Sequence, residues 1–453
     1  MASSKAACVF VSVCCPHFED KRDLLLGLAE ELAARGAHTI LVIAGRRPCA
    51  HIIRLGCDDS ACGFWFERLK SRAASLQQLE IEVVGERQDF EAQVEDNWAR
   101  IAHNQPRVWS GQRLEVIARA SIVRHRSSPL INITDQELAA SYEKDTLRHL
   151  LYYQNILARQ RPEVAVYFGG QFHQDRTAFI ACRASGVSTF AIETAFVPGY
   201  IYFDEAGVTG CRGAIGSQAL LHETDSRVLS AEEIAAVDNL MARSFHMRAL
   251  RPLEAERERV RHDLQVTQDE RVLLFLGQVG YDASLTTDAG AFTSQAVTVS
   301  AIQSVVSTLP RTKLMVRPHP KSYGQRDGAS QAAIELGVSV LDQSSSVHSL
   351  FELLCAADVV ITVSSQAGLQ AAWHGVPVVT LGRPFYGGKG FTVDAGGHME
   401  LLRSSIVAAL TTPRGTGREA AVSYISVLSR HMLDRPDAAD IARRILSDSP
   451  RSA

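Results

Sequence analysis

No stretch of this 453-residue chain approaches the ~20 consecutive apolar residues of a membrane-spanning helix, which excludes helical channels and carriers. An excess of one charge is also lacking. The 47 Lys and Arg against 50 Asp and Glu leave a formal net charge of −3, without the basic excess of a nucleic-acid binder. Nine cysteines are present but follow no repeating spacing: Cys14 and Cys15 are adjacent, and Cys49, Cys57 and Cys62 share one loop-like stretch. The absence of paired C-x-x-C or Cys/His spacing argues against a structural zinc framework, and reduced thiols in a cytoplasmic protein are the expectation. There is no P-loop lysine motif and no complete G-x-G-x-x-G after a strand, which argues against an NTPase or a dehydrogenase.

What is present is an ordinary soluble composition, 46% hydrophobic and 21% charged, in a chain too long for a single core. The opening "MASSKAACVFVSVCC" reads as a first strand, since its apolar run is too short for a leader peptide. "ACVFVSV", the amphipathic "KRDLLLGLAEELAARG" and "AHTILVIAG" make a strand–helix–strand unit of a parallel sheet. The rhythm continues through the helix "DTLRHLLYYQNILARQRP" and the strands "EVAVYFGG" and "STFAIET". A long charged helical region follows, "SAEEIAAVDNLMARSFHMRALRPLEAERERVRHDLQ", which reads as a solvated face. The second half restarts the pattern with "RVLLFLGQ", "TKLMVRPHP", "GVSVLD", "VVITVSS" and "VPVVTLG", separated by helices. The expectation is an α/β protein of two doubly wound, Rossmann-like domains, 1–264 and 265–453, facing a central cleft. In such sheets ligands bind beyond the carboxyl ends of the strands.

The candidate residues lie at those strand ends. "GQVGYDAS" presents Gln278, Asp282 and Ser284. Asp282 reads either as an Asx-turn or helix cap, or as a catalytic general base or nucleophile, and spacing does not separate these. "VRPHPKS" gathers Arg317, His319 and Lys321 around two prolines, a set suited to an anionic group. "SSQAG" places Ser364, Ser365, Gln366 and Gly368 where a helix begins; the readings are simple N-capping or a phosphate seat. "GRPFYGGKGFT" adds Tyr386 and Gly388. In the first half, Gln171, His173 and Asp175 in "YFGGQFHQDRTA", the strand-end Glu193, and His17 and Glu19 after the first strand are candidates for an acceptor-side wall. Gln171, His173 and Asp175 read equally as a polar helix start. The chain has no D-x-D pair, the usual holder of a divalent ion on a sugar-nucleotide diphosphate. With cationic side chains available instead, no metal cofactor is expected.

Taken in order, "GQVGYDAS … VRPHPKS … TVSSQAGLQAAWHGVPVVTLGRPFYGGKGFTVD", with "ETAFVPGYIYFDEAGV" upstream, resembles the capsular polysaccharide biosynthesis family of bacterial β-Kdo transferases. The likeness covers roughly residues 160–400. It implies a metal-independent glycosyltransferase of the GT-B fold that transfers Kdo, with retention, from CMP-Kdo to a lipid or saccharide acceptor at the cytoplasmic face of the inner membrane. It implies Asp282 as the catalytic carboxylate, and His319 with Ser364 and Ser365 as holders of the donor phosphate. Tyr386 and its glycines would shape the sugar pocket. The chain departs from the family at Gly280–Tyr281, at Gln370 in place of a glutamate, at Lys389 in place of a tryptophan, and at Val197–Pro198. Sialyl-type transfer from another CMP-sugar, a sugar-nucleotide 2-epimerase and a non-catalytic scaffold subunit are the alternatives. Capsule-assembly proteins and the inner membrane are the expected partners besides the substrates. The basic stretch near Met247–Arg261 is the membrane candidate, though its glutamates favour a solvated linker.

Overall fold

The computed structural model describes residues 8–13, 19–43, 71, 79–84, 88–126, 135–170, 172–204, 228–246, 253–280, 282–320, 328–341, 348–434 and 437–448. His17, Gln171 and Lys321 lie outside the described residues. The chain divides into two compact units, one of residues 1–194, 199–214 and 432–453, the other of 195–198 and 215–431.

In the first unit, strands β1 (Cys8–Val13), β2 (His38–Ile43) and β3 (Leu79–Val83) are joined to β6 (Val164–Phe168) and β7 (Ser188–Thr194), with β8 (Tyr200–Asp204) and β15 (Met432–Asp434) at one edge. A two-residue hairpin, β4 (Val108–Trp109) and β5 (Gln112–Arg113), stands apart. The sheet order is β15-β8-β7-β6-β1-β2-β3, parallel from β7 to β3 and antiparallel at β7–β8 and β8–β15. Its helices are α1 (Glu19–Ala34), α2 (Gln88–Ile101), α3 (Leu114–Arg126), α4 (Asp135–Gln160), α5 (His173–Ala184) and the C-terminal α15 (Ala438–Asp448). Alternate strand residues enter opposite layers, as the pleat requires. Ile40, Val42 and Ala165 join the core under α2, α3 and α4, whereas Leu41, Val164 and Val166 join the core under α1 and α15. Leu25, Leu28 and Leu32 of α1 and Ile441 and Ile445 of α15 supply the helical stripes of that second layer.

The second unit holds α6 (Ala231–Ser244), α7 (Leu253–Asp263), β9 (Arg271–Leu276), α8 (Ala283–Thr287), α9 (Gln295–Val306), β10 (Thr312–Arg317), α10 (Gly328–Glu335), β11 (Ser339–Val340), α11 (Leu350–Ala356), β12 (Val359–Thr362), α12 (Ala367–Trp373), β13 (Val378–Thr380), β14 (Val393–Asp394), α13 (Leu402–Thr411) and α14 (Arg418–Ser429). Its six strands run in the order β11-β10-β9-β12-β13-β14, all parallel. Counted within the unit this is 3-2-1-4-5-6, the doubly wound order whose ligand crevice opens where the winding reverses, here between β9 and β12. The α/β class with two Rossmann-like units is thus present.

The second unit begins earlier than 265, because α6 and α7 pack into it. Arg257 Nη2 and Arg261 Nη1 donate to Asp358 at 2.6 and 3.1 Å, and Asp358 also accepts the Val272 N–H at 2.7 Å. Asp238 of α6 accepts from Trp373 Nε1 at 2.9 Å and from Arg418 at 3.0 Å. The charged region expected to be a solvated face therefore turns two arginines inward, and Arg261 is buried. One carboxylate at the start of β12 shares several donors, which offsets their desolvation.

Candidate functional site

β9 and β12 are paired in register up to Leu276 and Thr362. Two residues on, Gln278 accepts the Ser364 N–H on Oε1 at 2.9 Å. Its Nε2 donates toward Ser284 Oγ at 3.0 Å and Asp282 Oδ2 at 3.3 Å. Ser364 Oγ donates to Ser284 Oγ at 2.8 Å, and Ser284 Oγ donates to Asp282 Oδ1 at 2.8 Å. A directed chain of hydroxyls thus ends on the Asp282 carboxylate at the point where the winding reverses. Asp282 also caps α8, accepting the Ser284 N–H at 3.0 Å. The capping and site readings of this residue describe one geometry: the donors that cap the helix also fix the carboxylate's orientation.

The network rests on a residue that sequence reasoning missed. Gln295, the first residue of α9 and buried, accepts the Gln278 backbone N–H at 2.7 Å and returns its amide to the Gln278 carbonyl at 2.6 Å. No local signal marks it, since the two residues meet only through the tertiary register. Asp394 is a second such residue. It accepts from Thr392 Oγ1 at 2.8 Å and from the Gly388 N–H at 2.9 Å, and also from Thr380, so it fixes the glycine-rich loop.

Several expected donor-contacting residues take structural roles instead. Gln278 is 3% exposed with its amide committed, so it positions its neighbours. Arg317 is buried and donates to the Leu341 carbonyl at 2.8 Å, which braces the β10–β11 edge. Tyr386 is 0% exposed and donates to the Ser365 carbonyl at 2.5 Å. It lies against Gly368, where an added Cβ would meet its Oη at 2.1 Å, so the pair is a packing brace. Ser365 follows the capping reading, its Oγ accepting the Ala367 N–H at 3.3 Å. The backbone N–H groups of Ser364, Ser365 and Gly368 are bonded to Gln278 Oε1, Thr362 Oγ1 and the Ser365 carbonyl; the expected phosphate seat has its donors engaged internally. Gln366 is the half-buried N-cap position of α12 and makes no side-chain cap. His319 stands half-buried two residues beyond β10, and Gly388 is exposed at φ 70°. Lys389 is buried, and desolvation holds its ammonium below the usual lysine range.

Gln370, where the family motif has glutamate, is also explained. Ser244 Oγ donates to the Met241 carbonyl at 2.7 Å, and accepts from Gln370 Nε2 at 2.9 Å. The site asks for a donor, which an amide supplies and a carboxylate does not.

In the first unit, His173 is not a wall residue. It is 1% exposed, with Nε2 2.8 Å from Asp145 Oδ2 and Nδ1 2.8 Å from Ser121 Oγ. Asp175 is buried in the first turn of α5, in keeping with the helix-start reading. Glu193 is half-buried near the end of β7.

Residues 233–405 match the model of the capsule polysaccharide biosynthesis protein family. No curated protein sequence matches the chain. Among solved structures, the chain is similar to two from Thermosulfurimonas dismutans. The KpsC β-Kdo 2,7 transferase is 16% identical with a TM-score of 0.42, over 65% of this chain and 88% of that one. The KpsC β-Kdo 2,4 transferase is 17% identical with a TM-score of 0.41, over 58% and 80%. A UDP-GlcNAc 2-epimerase from Neisseria meningitidis is 9% identical with a TM-score of 0.29, over 97% and 98%. Among the described residues no helix is long and apolar enough to cross a membrane.

Proposed function

We propose that the chain is a glycosyltransferase of surface polysaccharide synthesis whose donor is a CMP-activated ulosonic acid, CMP-Kdo, and whose acceptor is a lipid or saccharide. The observation that carries the reading is the Asp282 carboxylate, oriented by Ser284 and Gln278 where the second unit's winding reverses, within the stretch that matches the capsule family. A CMP-ulosonate presents one phosphate and one sugar carboxylate. His319 and Lys321, from the segment after β10, are the cationic groups assigned to them, and no metal is assigned to the phosphate. In transfer, the bond from the anomeric carbon to the phosphate oxygen breaks and its electron pair leaves with CMP. His319 and Lys321 would offset the charge that develops. A retaining outcome requires a group on the opposite face of the sugar, and Asp282 is the group assigned. Contact with the inner membrane belongs to this reading only through a lipid acceptor.

Asp282→Asn isolates the charge, because asparagine caps helices as well as aspartate does. CMP release from CMP-Kdo is expected to fall on the order of 10²-fold or more, with CMP still bound. Wild-type turnover in that variant would overturn the assignment.

A further inference from the structure

The first unit contains a buried cluster that the transfer reading does not use. Asp145 and His149 lie four residues apart on one face of α4, and His173 begins α5. One donor atom from each lies within 4.8 Å of the other two. Both histidines have Nδ1 anchored: His149 Nδ1 donates to the Asp145 carbonyl at 2.9 Å, and His173 Nδ1 is 2.8 Å from Ser121 Oγ. That is the outer-shell arrangement that orients metal-binding imidazoles and leaves Nε2 as the donor. His149 Nε2 is buried and has no hydrogen-bond partner, so with the proton on Nδ1 its lone pair is unengaged. His173 Nε2 points to Asp145 Oδ2 at 2.8 Å. The carboxylate is supported in turn: Asp145 Oδ1 accepts from Arg148, whose Nε donates to Glu91 at 2.8 Å. Two carboxylates face one guanidinium, so these fixed charges sum to −1 and favour a cation.

We infer that Asp145, His149 and His173 form a binding site for a divalent transition ion, zinc being the best match to two imidazoles and a carboxylate. Ligand atoms on tetrahedral zinc stand about 3.3 Å apart, given bonds of about 2.0 Å. Binding displaces the proton between His173 and Asp145. With His149 and His173 at 3% and 1% exposure the ion has no room for a substrate, so its role is to pin α5 to α4. None of the three ligands belongs to the residues assigned to the donor.

The test is titration of the chelator-treated full chain with Co²⁺ and Zn²⁺, reading the visible bands of tetrahedral Co²⁺ and the rise in melting temperature. One Co²⁺ per chain is expected. His149→Ala, which deletes the ligand with the unpartnered nitrogen, should weaken binding at least about 100-fold, with the metal-free melting temperature lowered by the cavity it leaves and no longer raised by the ion. Ser121→Ala, which removes the anchor of His173 Nδ1, should weaken it about 10–100-fold and serves if His149→Ala fails to fold. Absence of the bands, or equal affinity in every folded variant, overturns the proposal. Neither result depends on CMP-Kdo turnover.

Discussion

Gly368 and Tyr386 sit in segments whose motif pattern points to the donor site, yet the structure makes them a brace, and Gly368→Ala tests which description holds. The backbone of Gly368 is helical, so the objection to alanine is steric. The new Cβ would stand 2.1 Å from Tyr386 Oη, 2.9 Å from Cζ and 3.0 Å from Thr362 Cγ2. Tyr386 has no room to retreat, being fully buried, and its hydroxyl is held on the Ser365 carbonyl at 2.5 Å. Overpacking costs about 1–3 kcal/mol, and losing the Tyr386 hydrogen bond to the Ser365 carbonyl, which keeps the Gly368 N–H, adds about 0.5–1.5 kcal/mol, so a loss of about 1.5–4.5 kcal/mol is expected. Adding Tyr386→Phe removes the closest clash but not the contact with the ring, so the double variant should cost about 1 kcal/mol less than the sum of the singles. Urea unfolding followed by fluorescence reports it well, because Trp373, at the end of the same helix, is the sole tryptophan of the second unit. A Gly368→Ala protein within about 0.5 kcal/mol of wild type would refute the brace.

Gln370→Glu should destabilise by about 1–3 kcal/mol at neutral pH and less in acid, where a protonated carboxyl regains a donor for Ser244; equal loss across pH would contradict the donor argument. Burial lowers His374 to about 3, so between roughly pH 6.5 and pH 3 the unfolded chain binds a proton that the native one refuses. As the pH falls through that window stability should fall by up to roughly 5 kcal/mol, and His374→Gln should flatten the decline measured by urea titration. The buried Cys182 and Cys355 thiols are both pushed up to about 12. Peptides containing them should stay unmodified by a thiol reagent at pH 8 until denaturant is added; labelling in the native state would contradict their burial.

The strands were legible because parallel sheets bury both faces, so "RVLLFL" and "VVIT" read as unbroken apolar runs. The strand ends were legible as the place to look, since the chain's polar motifs fall there. Which of those polar residues face a ligand was not, because a buried polar side chain can be satisfied by a partner far along the chain. Gln278 meets Gln295 and Ser364, and Arg317 meets Leu341, through registers that no local pattern encodes. The same limit applies to α7. Its alternation of Arg and Glu reads as a solvated face, and only the position of Asp358 turns Arg257 and Arg261 inward. His173 read as an acceptor-side wall residue or as part of a polar helix start, yet its partners, Ser121 and Asp145, lie 52 and 28 residues away.

The most direct test of the central claim is the melting temperature of the purified chain with CMP, CDP, UDP and GDP, in buffer without added magnesium or manganese. A ligand that binds only the native state raises stability by about 2.7 kcal/mol at 100 times its dissociation constant. The account predicts stabilisation by CMP, with UDP and GDP inert. Stabilisation by UDP and not by CMP would contradict it and point to a UDP-sugar enzyme.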